Sequence, residues 1–526
     1  MDLNSLRFLS LVGCLSVAGV GGGAAGTAGD VRVLKSGDVV YVRSAFSADK
    51  DAVIAIGRGG NNKQINFTQT TLLPKTAPMT LQTCQSGEVI HSCGDDATPW
   101  NLNGTYIGAN HGCSDTREVT APKHGLTTAD IGGEWTDANG AKFYVLKIFG
   151  PDKFLVLSEN HGKDGVWRFN TQIAGGKLTN KASGRELKFA GCQMTQLWPS
   201  CRINKQEYLV NGETPLPDGV VTACDHLDIV EDYDIVAPDA VLDAARRNPG
   251  KEQDFVAPGL DAVLNNKIVY RFLPDAVCSV RHDSTASRGF NLGYMGFIQS
   301  GQLNRGKYDT HEYYIPKTLP FEKDGAKYDF QAIQDYSRPL PSPLYLSAAD
   351  KNVADPADPP DRFLQFLGKK EGGQVKRQVG YVVGYSLTDG LTRPERRAKN
   401  VNRFLFLYTS NKTYPAAVDG KMGPAIPAGT QFHCSAYRQY FDAAAGGAAT
   451  ALYWRRDGGA HVVTADYHHS VDKDVLKLPA EMVGKAVTVI EKSPSVTLLT
   501  GGAVPPGGVA LSVKGGYGHI VLKVGE

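Results

Sequence analysis

The chain reads as an all-β protein made of antiparallel β-sandwich domains with a small β-sheet at its C-terminal end. Short runs that mix polar with β-branched or aromatic residues recur along most of the length, which is the pattern of half-buried strands. Gly and Pro, 59 and 28 of 526 residues, supply the frequent turns that such strands need. Only one segment carries convincing helix signals. With 42% hydrophobic residues and the length of about three ordinary domains, the chain can bury several cores.

Taken in order, residues 1–29 read as a signal peptide: Arg7 precedes a largely apolar stretch, and small residues follow it up to Gly29. The mature chain is expected to start near Asp30 and to be secreted or periplasmic, although residues 11–14, ending in Cys14, also fit a bacterial lipoprotein signal loosely. No later stretch approaches the roughly 18 apolar residues of a membrane span. Nine cysteines less Cys14 leave eight, and an even count in an exported chain favours disulfides. The spacing predicts bridges between Cys84 and Cys93 and between Cys192 and Cys201, each closing a short loop.

An N-terminal β-rich domain is expected over residues 30–250. Strands are predicted at 39–44, 52–56, 64–73, 142–149, 154–157 and 186–189, with Gly150-Pro151-Asp152 turning one hairpin. Asn139-Gly140 is a type I′ signal for another. The helix is short: Pro238 suits a first helical position, residues 240–247 are good helix formers, and Asn248-Pro249-Gly250 stops it. A central sandwich over 251–470 follows, with longer strands at 267–280, 293–298, 379–387 and 401–408 and a loop at 341–361. Residues 471–526 give four short strands with Gly/Pro turns, the expected terminal sheet.

Charge excludes some functions. Lys and Arg total 56 against 54 Asp and Glu, a net of +2, so there is no electrostatic case for binding nucleic acid. The sequence has no Cys-x-x-Cys, no His-Glu-x-x-His, no Walker loop and no Gly-x-Ser-x-Gly, so no metal or cofactor is expected and the serine esterase and nucleotide hydrolase readings lose support.

What chemistry remains is carried by amide, imidazole and phenol groups. Asn-His-Gly occurs twice, at Asn110-His111-Gly112 and Asn160-His161-Gly162, and an amide beside an imidazole offers a neutral donor and a proton acceptor. Asn and Gly are also ordinary turn residues, so a purely structural role competes with this. A second cluster joins Arg281 and His282 with Tyr294: His282 as a base, Arg281 as a partner for an acidic ligand, Tyr294 as a hydroxyl acid, against cross-strand packing. Lys412 and Tyr414 are placed on a turn after an apolar strand, where solvation competes with substrate binding. The carboxylates Asp225, Asp228, Glu231, Asp232 and Asp234 suit either a glycoside hydrolase pair or a solvated acidic loop.

On these residues, and on the exported strand-rich architecture, the chain resembles in a general way exported bacterial polysaccharide-degrading enzymes, lyases in particular. Some alginate lyase families use an Asn-His motif, though on a largely helical fold from which this chain departs. The resemblance implies an acidic polysaccharide substrate cleaved by β-elimination, with Asn110 and Arg281 on the uronate carboxylate, His111 or His282 abstracting the C5 proton, and Tyr294 or Tyr414 protonating the leaving oxygen. His161 and Lys412 are expected substrate contacts. The alternatives are a glycoside hydrolase with paired carboxylates and a non-catalytic carbohydrate-binding or adhesive protein.

Overall fold

The computed structural model describes residues 29–525, other than 60–63, 93–104, 108–115, 159–172, 195–200, 255, 292–294, 298–299, 302–309, 315–320, 324–325, 329–343, 346–361, 372–373, 388–403, 409–411 and 419–424. The described residues are nearly all β, built from antiparallel sheets packed as sandwiches, with no closed barrel among them. No helix among the described residues is long and apolar enough to cross a membrane.

Two sheets dominate. The first has six strands, Val31–Ser36, Val39–Ala45, Lys50–Gly59, Gln64–Pro74 and Glu88–Ser92 in sequence order, with Thr222–Cys224 on the outer edge of the first. The second has nine, in the order Thr214–Pro215, Cys201–Val210, Leu227–Val236, Ala262–Leu273, Val277–Ala286, Gln431–Asp442, Gln374–Leu387, Arg362–Glu371 and Thr310–Tyr314. They pack face to face because each strand alternates: along Leu227–Val236, Leu227, Ile229, Tyr233 and Ile235 all point inward. Val33, Val42, Ile54 and Phe67 meet them from the first sheet, and the rings of Phe67 and Phe272 lie 5.7 Å apart. Each such side chain contributes about 1.5–3 kcal/mol by leaving water.

A seven-stranded sheet, residues 116–194 in their described part, has its own core around Trp135, Phe143, Val145, Phe154 and Val156. Its other face meets the helix Pro238–Arg247 through Val241 and Leu242, which pack on Leu146 and Leu155. The helix has Pro at its start, as the sequence predicts, and Arg288 clamps its first-turn Asp239 with two hydrogen bonds of 2.9 and 2.6 Å. It is a connector that ties this sheet to the nine-stranded one.

Several expectations are corrected. Residues 267–280 form not one strand but parts of two, Ala262–Leu273 and Val277–Ala286, turned at Asp275 and Ala276, whose φ angles are +61° and +53°. Asn139-Gly140 lies in a hairpin, but the pairing of Thr136 with Lys142 leaves a five-residue loop held by Asp137, not a two-residue type I′ turn. The boundary expected at residue 250 falls inside the nine-stranded sheet, where Leu227–Val236 pairs with Ala262–Leu273. The C-terminal unit is a sandwich rather than one small sheet. Ala451–Asp457, Ala460–Tyr467, Gly518–Val524 and Val487–Lys492 form one layer, and Val471–Leu476, Val509–Val513 and Val496–Leu498 the other. Its core of Leu452, Val463, Tyr467, Leu511 and Leu522 therefore begins before residue 471.

The predicted disulfides are also corrected, since Cys84 and Cys192 are free thiols. Cys84 lies on the inward side of the short helix Leu81–Ser86 against Leu34, Leu73 and Met79, and burial pushes its thiol up to about 11. Cys192 pairs with Val119 in the seven-stranded sheet, whereas Cys201 begins a strand of the nine-stranded one. Cys93 lies outside the described residues.

Candidate functional site

Arg281 and His282 are neighbours in the middle of one strand, so alternation sends them to opposite faces of the nine-stranded sheet. His282 points into the sandwich and is 1% exposed. Its Nε2 lies 3.1 Å from Asn266 Oδ1 and 3.0 Å from Ser284 Oγ, and the Ser284 hydroxyl donates to the same Asn266 oxygen at 2.8 Å. Because that hydroxyl proton is already used, Nε2 carries the imidazole hydrogen and donates. Burial pushes His282 down to about 3, so the ring is neutral at ordinary pH. The expectation that His282 is a base acting on a substrate is corrected: it is a buried core group, hydrogen-bonded through Nε2 with Nδ1 left without a partner, and walled off by the first sheet.

The same inner face holds Glu231. Its Oε1 accepts from the Ile65 amide at 3.0 Å and from Gln206 Nε2 at 2.7 Å, while Arg58 Nε donates to Gln206 Oε1 at 2.6 Å. Oε2 has no hydrogen-bond partner, and burial pushes the carboxyl up to about 7. The expected acidic loop over residues 225–234 is thus a strand with two faces. Asp228 and Asp234 point away from Glu231 and are engaged, Asp228 by Arg271 at 2.8 and 2.7 Å and Asp234 by Arg202 at 2.6 Å.

The outer face carries the arrangement best suited to chemistry. Arg281 Nε donates to Asp283 Oδ2 at 2.9 Å, and His433 Nδ1 lies 2.6 Å from Asp283 Oδ1. Asp283 and His433 are direct cross-strand partners, and Arg281 is two residues back on the same face. Side-chain exposures of 59% for Arg281 and 50% for His433 open the group to solvent, with Asp283 at 28% beneath them. Burial raises the Asp283 carboxyl, but the hydrogen bonds from His433 and Arg281 outweigh it and hold Asp283 below its usual range. A carboxylate on Nδ1 fixes an imidazole's orientation and steadies its protonated form, the arrangement that prepares a general base. Sequence reasoning missed Asp283 and His433. The alternation Arg281-x-Asp283 was a legible sign of a shared face, but a partner 150 residues away was not.

Backbone pairing also brings together segments that adjoin the other predicted residues. Met295–Phe297, which follows Tyr294 in the chain, pairs with Thr105–Ile107, which precedes Asn110, and with Lys412–Val418. Lys412 and Tyr414 are therefore on a strand, paired with Phe404–Tyr408, and not on the predicted turn. Asn110, His111, His161 and Tyr294 themselves lie outside the described residues. In sequence, Met295–Phe297 and Lys412–Val418 fall between Val277–Ala286 and Gln431–Asp442, whose facing end and start carry Asp283 and His433. Tyr453 is buried against Phe441. Among the described residues, no group of three or more His, Cys, Asp or Glu side chains is arranged to hold a metal.

No family model and no curated protein matches the chain. Among solved structures, a GalM/aldose epimerase homologue from C. elegans is similar over 79% of this chain and 99% of its own, at 8% identity and a TM-score of 0.24. At that score the likeness carries no argument about fold or function.

Proposed function

We propose that this protein is an exported lyase that cleaves a uronic-acid-containing polysaccharide by β-elimination at the outer face of the nine-stranded sheet. The observation that carries the reading is the exposed His433 imidazole held by Asp283 beside Arg281. Arg281 would pair with the uronate carboxylate and draw charge from it, which acidifies the C5 proton. His433, oriented by Asp283, would take that proton and, as the imidazolium, return it to the leaving oxygen when the two lie on one side of the sugar ring. Asn110, His111, Tyr294, Lys412 and Tyr414 remain proposed partners in this scheme, since the segments at or beside them meet in one smaller sheet, and His161 is kept as a proposed substrate contact on its sequence motif alone. Export rests on the leader over residues 1–29.

The test is incubation with a panel of acidic and neutral polysaccharides, following the ultraviolet absorbance of an unsaturated uronate and the product masses in ¹⁸O-labelled water. The reading predicts unsaturated, unlabelled products from acidic substrates alone. Labelled products would replace it with hydrolysis, and binding without any product would replace it with a carbohydrate-binding role.

A further inference from the structure

The outer face holds a second pattern, running across the strands. Lys205, Asp232, Lys267, Asp283 and His433 are successive cross-strand partners on five neighbouring strands: Lys205 opposite Asp232, Asp232 opposite Lys267, Lys267 opposite Asp283, and Asp283 opposite His433. From Lys205 to Asp283, ammonium and carboxylate groups thus alternate at one strand spacing of about 4.8 Å, so that like charges recur about every 10 Å, and the row ends beside the His433 base. Lys205 is 53% exposed in its side chain, Lys267 is exposed, and Asp232 is half-buried.

Opposite charges on adjacent strands stabilise a sheet slightly, which alone would favour such pairs. Here the middle of the row is not closed on itself. Among the described residues the side chains of Lys267 and Asp232 form no hydrogen bond and no ion pair within 4.0 Å, and Lys205 turns along its own strand to Glu207 at 2.8 Å. An ammonium flanked by two carboxylates but bonded to neither keeps its donors for a ligand.

We propose that this row is a glycan track, and that it selects polysaccharides in which a uronate alternates with a neutral sugar. The inference rests on the proposed site at Arg281, Asp283 and His433 and specifies its substrate class. Two strand spacings match two sugars of an extended chain laid across the strands, so a carboxylate on every second sugar meets a cationic position each time. The neutral sugar between falls on Asp232 or Asp283, where hydroxyl groups can donate to the carboxylate. A polymer with a carboxylate on every sugar sets like charges against both aspartates, a repulsive element that gives discrimination rather than affinity.

The test compares octasaccharides of hyaluronan, in which uronate alternates with a neutral N-acetylhexosamine, and of polygalacturonate, charged at every sugar. Binding is read by calorimetry at low ionic strength, and cleavage separately by absorbance. The hyaluronan octasaccharide should bind at least about tenfold more tightly. Lys267→Ala should weaken it by about tenfold, the scale of one lost charged hydrogen bond, and Asp232→Asn should narrow the gap between the two probes. Equal or tighter binding of polygalacturonate, no binding of either, or an unchanged affinity in Lys267→Ala would overturn the track. Unsaturated products with no preference between the probes would overturn the track while leaving the lyase reading standing. Selective, Lys267-dependent binding without unsaturated products would do the reverse.

Discussion

The two faces of one sheet use the same residue types for opposite ends. On the inner face His282 is buried, its Nε2 hydrogen is shared between Asn266 and Ser284, and it is held neutral. On the outer face, one strand away, His433 stands half in solvent against a carboxylate with an arginine beside it. The difference teaches that an imidazole is made useful by its surroundings: desolvation without a charge partner silences it, and a carboxylate at the water's edge prepares it. The contrast predicts that outer-face changes act on turnover and inner-face changes on stability.

The largest expected effect is on turnover. Asp283→Asn should lower kcat on a cleavable uronate polymer by about 10³-fold, because an amide can orient the ring but cannot steady its charged form. The melting temperature should hardly move, and steady-state kinetics beside a thermal melt reads both. On the inner face, His282→Ala removes a buried ring and strands the oxygens of Asn266 and Ser284. It should cost about 2–3 kcal/mol in denaturant unfolding. A His282→Ala protein with normal stability would dissolve the distinction between the faces.

Glu231 sharpens the same comparison through pH. Below about 4.5 its carboxyl is protonated whether the chain is folded or not. As pH rises toward about 7 the unfolded chain ionises while the folded one still holds its proton, so stability falls across that window and stays lower above it. Glu231→Gln should flatten this part of the stability profile and recover about 3 kcal/mol at pH 8. An unaltered profile would show that Glu231 keeps its charge in the fold. The smallest effect concerns the thiols: a reductant should leave the melting temperature unchanged to the extent that Cys84 and Cys192 govern it, and both should be alkylated in unfolded, unreduced protein.

Much of the architecture was legible in the sequence, because alternation of period two is imposed by the pleat and survives any tertiary context. The strands Val39–Ala45, Gln64–Pro74 and Val509–Val513 and the helix behind Pro238 stand where their patterns put them. The turn at Asp275 and Ala276 was hidden because two non-glycine residues take positive φ there, at odds with local preference. The site was legible only in part. Arg281 faces solvent as a ligand partner should, but the same alternation rule, applied to Arg281 and His282 together, would have separated them at once. Asp283 and His433 meet through a pairing that no local pattern encodes.

The most direct test of the outer-face site is the rate of unsaturated-uronate formation by His433→Ala, measured beside the wild-type chain on the best substrate of the panel and on protein whose melting curve matches the wild type. A loss of about 10³-fold or more with the fold intact is the predicted result. A variant that cleaves at the wild-type rate would contradict it, and would show that the outer face of the nine-stranded sheet is a solvated surface with no part in the reaction.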